Sequence, residues 1–119
     1  MLRSDPRHSG FVSNSAITDN GSVGIFMRDS RDNMFQGLEI RNHPNDHGIF
    51  LAQPENEPTK PAAGNTFSGV VVSGSGGAGL RVNDASCVNN IVVGSQFVQN
   101  VGGCVSAAAT VDTVAIKCH

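Results

Sequence analysis

Short apolar stretches of three or four residues, each bounded by glycine, asparagine, aspartate or serine, recur along the chain, and no segment returns its apolar positions at helical spacing. Gly24-Ile25-Phe26-Met27, Gly48-Ile49-Phe50-Leu51, Gly79-Leu80-Arg81-Val82 and Gly103-Cys104-Val105-Ser106 begin at intervals of 24, 31 and 24 residues. A second series, Asn33-Met34-Phe35, Asn65-Thr66-Phe67 and Asn90-Ile91-Val92, keeps the same beat. A third follows a few residues after each asparagine: Leu38-Glu39-Ile40, Val70-Val71-Val72 and Ser95-Gln96-Phe97, with Ser15-Ala16-Ile17 as the earlier member. Each repeat of about 24 residues therefore predicts three short strands separated by turns.

Three strands per turn, stacked at the ordinary interstrand spacing, describe a parallel β-helix, an all-β solenoid of about four to five rungs. A single rung cannot bury its own apolar side, but stacked rungs share one core. The predicted inward columns are Ile25/Ile49/Leu80/Cys104, Met27/Leu51/Val82/Ser106, Phe35/Phe67/Val92 and Ile17/Ile40/Val72/Phe97. Asn33, Asn65 and Asn90 fall at one corner of successive rungs, where their amides can bond along the axis in a ladder. Residues 1–119 read as one domain, with 1–9 a frayed terminus and 53–64 a protruding loop. After Val105 the sequence AAATVDTVAIKCH ends in a strand without a polar helical cap, which suits either a covering copy or a piece of a longer protein.

The stretch VVVSGSGGAG, residues 70 to 79, offers the G-x-G-x-x-G spacing of a dinucleotide site. No helix follows Gly79, and the next acidic residue, Asp84, comes too soon to meet a ribose. The glycines are therefore read as a corner, with no cofactor. Composition agrees: 15% charged residues, 14 glycines and a formal charge of −2 leave no basic field for phosphates, and Trp and Tyr are absent, so nucleic acid is not expected as a partner. No apolar leader core and no membrane-length apolar run is present in the sequence. Cys87, Cys104 and Cys118 lack metal or redox-motif spacing and are read as free thiols, with one disulfide as the alternative.

The repeat length and the N-x-F and G-I-F-M strands resemble the right-handed parallel β-helix (pectin-lyase-like) proteins, among them pectate lyases and alginate C5-epimerases. The resemblance covers roughly residues 9 to 106 and implies a right-handed helix and a polysaccharide partner. Asp5-Pro6-Arg7-His8 is similar to the Asp-Pro-His-Glu/Asp element of the epimerases, although only Asp5 and Pro6 match in place and the tyrosine that family uses has no counterpart.

Within the repeats, chemistry concentrates between Glu39 and His47. His43, Asp46 and His47 are the candidate catalytic residues, because an imidazole held by a carboxylate is a base near neutral pH. Glu39 and Arg41 project outward from one strand, Arg28 belongs to the preceding rung, and a guanidinium can clamp a uronate carboxylate. The long interval carries QPENEPTKPAAG, whose three prolines stiffen an excursion that places Glu55 and Glu57 as further ligand contacts. Pro44 and the lack of a helix argue against a metal site at His43 and His47. The expected function is binding or modifying an acidic polysaccharide; the alternative is a structural or assembly module. Bare strand edges and an outward Phe26/Phe50 column also predict a homo-oligomer. Convergence of the 39–47 turn and the 53–64 loop on one groove is the geometric criterion separating a sugar site from a structural module.

Overall fold

A computed structural model describes residues 2–3, 11–13, 15–18 and 22–119, and every described element is a strand or turn. The Asp5 to His8 element lies outside the described residues. Three five-stranded sheets, parallel throughout, form the walls. The first sheet stacks Leu2–Arg3, Ile25–Met27, Ile49–Leu51, Leu80–Val82 and Val105–Ala107. The second stacks Phe11–Ser13, Met34–Gln36, Thr66–Ser68, Asn90–Val93 and Val111–Val114. The third stacks Ala16–Thr18, Glu39–Arg41, Val71–Ser73, Gln96–Val98 and Lys117–Cys118. The chain visits the sheets in that order and repeats, so each circuit is a rung of a parallel β-helix. Among the described residues no helix is long and apolar enough to cross a membrane.

The period-two alternation of a strand, cut to three residues, dictates what each sheet buries. First-sheet strands turn their two outer positions inward, so Ile25, Met27, Ile49, Leu51, Leu80 and Val82 are buried; second- and third-sheet strands turn only the middle residue inward. Phe35 and Phe67 stack with centroids 4.9 Å apart, and Ile40, Val72 and Phe97 form the third column. Like side chains thus repeat along the axis, and one continuous core results.

The first-sheet register departs from expectation in the fifth rung. Leu80 pairs with Val105 and Arg81 with Ser106, one residue later than the glycine count predicts. Gly103, at φ 91°, is the extra residue, so Cys104 takes the place that Gly24, Gly48 and Gly79 hold in earlier rungs. The cysteines differ as well. Cys104 and Cys118 are joined by a disulfide with Cα atoms 5.9 Å apart, and only Cys87 is free and buried. Burial pushes the Cys87 thiol above its ordinary value, since the interior disfavours a thiolate.

Corners are built from columns of left-handed residues. Gly37, Gly69, Gly94 and Ala115 lie between the second and third sheets with φ of 65°, 61°, 57° and 52°. Asn42, Gly74 and Gln99 do the same between the third sheet and the next rung's first, at 60°, 70° and 56°. Each left-handed residue reverses the local path and resets which side the following residue faces. At the corner before the second sheet, Asn33 Nδ2 donates to Asn65 Oδ1 at 3.0 Å and Asn65 Nδ2 to Asn90 Oδ1 at 3.1 Å. All three asparagines are buried.

Candidate functional site

The reset at Asn42 decides the fate of the 39–47 cluster. Glu39 and Arg41 alternate outward on the third sheet as expected, and Arg41 Nη2 lies 3.4 Å from Glu39 Oε1, each side chain about half exposed. Simple alternation would turn residue 43 outward. The left-handed Asn42 turns it inward, and His43 is fully buried with Nε2 3.2 Å from the Ile17 carbonyl. Its counterparts in the next two rungs are Ser75 and Asn100; Asn100 Nδ2 reaches Val72 O at 3.1 Å, so this too is a column of inward polar residues. His43 has no surface from which to meet a polysaccharide.

Asp46 and His47 follow a tight turn in which Asp46 N–H donates to His43 O at 3.2 Å. Asp46 Oδ1 accepts the backbone N–H of His47 at 2.8 Å and so holds the turn, with its contact going to the His47 main chain. His47 Nδ1 accepts from the Ala78 N–H at 2.8 Å, which orients the ring. The ring stacks on Phe50 at 5.6 Å. The glycine-rich corner of residues 74–79 packs against this turn: a side chain at Gly76 would collide with Pro44 O. The stretch forms a corner, as the sequence predicts, with Gly74 at φ 70° and Gly76 allowing a close approach to the Pro44 backbone.

The 53–64 loop leaves from the other end of the same strand, Ile49–Leu51. Ala62–Ala63 pairs with Ser30–Arg31, Arg31 Nη2 donates to Thr59 O at 2.9 Å, and Lys60 Nζ lies 3.4 Å from Glu57 Oε1. Glu55 and Glu57 are exposed. The loop and the His47 turn thus sit at different corners and do not share one groove. They border the outer surface of the first sheet from opposite sides, and between them stands Phe50.

That surface carries a strip the sequence only half discloses. Phe26 and Phe50 stack at 5.3 Å and 20°, the Arg28 guanidinium lies 4.7 Å over Phe26, and His47 stacks on Phe50. One rung on, the Arg81 guanidinium donates to Ser106 Oγ at 2.8 Å. The two phenylalanines form an outward column as the sequence predicts, and their faces are engaged by each other and by Arg28 and His47. Repeat counting locates Phe26 and Phe50; the sequence holds no signal that Arg28 folds back onto a ring two residues away.

Among the described residues no group of three His, Cys, Asp or Glu side chains comes together to hold a metal. A hollow of about 730 Å³ opens over the fifth rung, lined by Cys104, Val105, Val111, Ile116 and Cys118 among others, and none of the predicted site residues reaches it.

A family model described as a right handed beta helix region matches residues 3–118. No curated protein and no solved structure matches the chain.

Proposed function

The chain belongs to the right-handed β-helix family, and on that premise we propose that it is a non-catalytic binding module for an acidic polysaccharide, held on the outer surface of the first sheet. The groove predicted between the 39–47 turn and the 53–64 loop is not formed, which counts toward the structural module; the observation that carries the sugar reading is a different surface, the strip Arg28, Phe26, Phe50, His47, followed by Arg81 one rung along. The parallel sheet sets Phe26, Phe50 and Arg81 in line with the axis, with Arg28 and His47 beyond the strand ends on either side. Ring rims offer apolar contact to the C–H bonds of a sugar, and guanidinium groups offer paired hydrogen bonds to its carboxylates. Proton abstraction needs a base with access to the reacting carbon, and burial of His43 together with the main-chain contacts of Asp46 and His47 supplies no such arrangement.

The test is titration with alginate and polygalacturonate, with a neutral β-glucan as control. Expected is weak binding to the anionic polymers that falls as salt rises, and no binding to the neutral one. Arg28→Ala and Arg81→Ala should each weaken it roughly tenfold, the scale of one lost charge-assisted contact. Arg41→Ala should change little, since Arg41 lies on the third sheet, away from this strip. Binding indifferent to both Arg28 and Arg81, or no anionic glycan bound at all, would remove the reading.

A second reading, an assembly module, is favoured by one specific surface. In rungs two to four the outward positions of the second sheet are Met34, Thr66 and Ile91 beside Gln36, Ser68 and Val93, with no charge among them. Such a face suits contact with another protein surface, including a second copy. Sedimentation that finds a dimer or trimer dispersed by Ile91→Lys would support it, and a monomer at high concentration would not.

A further inference from the structure

Three rungs solve one packing problem in one way, and the fifth solves it in another. At the corner where the third sheet hands over to the first, Gly24, Gly48 and Gly79 lie against the inward third-sheet residue of their own rung. A Cβ at any of the three would collide with Ile40, Val72 or Phe97 respectively, and with a carbonyl of the following rung. The rule is a glycine opposite a bulky apolar side chain. In the fifth rung the corresponding positions are Cys104, by register with Gly79, and Cys118, which pairs with Phe97. Both partners of the pair are exchanged together, and the two cysteines are bonded.

We infer that Cys104–Cys118 is a redox-responsive latch, a modification site at which a dithiol reductant releases the fifth rung from the fourth. The bond takes the space of the glycine and its bulky neighbour and ties the first strand of the rung to its last, closing the circuit covalently. Reduction therefore removes the closure of the intervening chain.

Besides the bond, the rung is tied to the fourth by one parallel pairing in each sheet, and Val105, Val111 and Ile116 pack half-buried against the core. Cys118 is exposed and Cys104 partly so, which makes the Cys118 sulfur the accessible point of attack. A thiolate of the reductant bonds to Cys118 Sγ and the Cys104 thiolate leaves. The second thiolate then displaces Cys118, so that two electrons and two protons pass to the cysteines and the reductant becomes a disulfide. Cys87 takes no part, being fully buried with its thiol held neutral.

Hydrogen exchange read by mass spectrometry tests the latch on the full chain, oxidised and after dithiothreitol, with intact mass reporting the two added hydrogens. Reduction should speed exchange of the Leu80, Gly94 and Gln99 amides, which donate to Cys104 O, Val114 O and His119 O, together with Lys117, by tenfold to about a hundredfold. Thr66 and Val71 should not change. The decisive variant is Cys104→Gly with Cys118→Val, which restores the pair of the third rung. It should keep these amides protected within a few fold of the oxidised chain and be indifferent to the reductant. Cys104→Ser with Cys118→Ser should resemble the reduced chain. Equal protection in oxidised and reduced chains would overturn the inference. So would Cys104 and Cys118 remaining thiols in an oxidising glutathione buffer.

Discussion

The amide of Asn65 has no unmet group. Its Oδ1 accepts the backbone N–H and the Nδ2 of Asn33, both at 3.0 Å, and its Nδ2 donates to Ser30 O and to Asn90 Oδ1. Asn65→Leu would strand donors and an acceptor on both neighbouring rungs in a buried site. The expected loss is about 2–3 kcal/mol, read as a lowered urea midpoint with unchanged slope. A neutral effect would mean that the asparagine column contributes nothing. Cys87 makes a different residue-scale claim. The folded chain keeps its thiol protonated because burial raises its pKa, so its contribution to stability is complete below the ordinary thiol range. It declines as pH rises through that range toward the higher folded value, because only the unfolded chain then gains by ionising. Native Cys87 should resist iodoacetamide near pH 8 and react at the rate of unfolding, and Cys87→Val should flatten the alkaline loss of stability.

At the scale of elements, the strands are ordinary and the corners specify the fold. Gly69 isolates the cost of a left-handed corner, since a Cβ there would meet nothing closer than Gly37 N at 3.9 Å. Gly69→Ala should therefore cost about 1 kcal/mol from backbone conformation alone. Ala115 sits in the same column at φ 52°, so Ala115→Gly should raise stability by about 0.5–1 kcal/mol. Thermal melts of the pair moving in the same direction would contradict the corner account. The corners also explain what was legible in the sequence. Columns such as Phe35/Phe67/Val92 could be read because Asn33, Asn65 and Asn90 mark equivalent positions and the strand period is two. His43 could not be placed by that period, because Asn42 adopts a left-handed turn that asparagine permits but does not announce. Gly103 misled the count for a related reason: it imitates the corner glycine while standing one residue before the true equivalent, Cys104. The disulfide was hidden with it, since its spacing belongs to no motif and is fixed only by the register of two sheets. The Arg28 to Phe26 contact depends on a rotamer, which local sequence does not encode.

For the molecule as a whole, each rung touches only its neighbours, so stability should be distributed like that of a short one-dimensional stack. The third rung, from Ile49 to Ser73, is the middle one of the five described rungs, with two on either side in every sheet. Its Thr66 and Val71 amides should exchange slowest, with Glu39 and Lys117, on the rungs toward either end, faster by tenfold or more. Uniform protection would indicate a single cooperative unit instead. The same third rung carries the long excursion of residues 53–64, yet Thr66 pairs with Met34 and Ile91 with no shift of inside to outside. Slack added at a corner is absorbed there, and lengthening such a loop is thermodynamically mild because closure cost grows only logarithmically. The corner is therefore a splice point: a foreign peptide inserted between Pro54 and Lys60 would ride outside a rod whose internal phase it never touches. The chain could accept such cargo as a display scaffold without any redesign of its core.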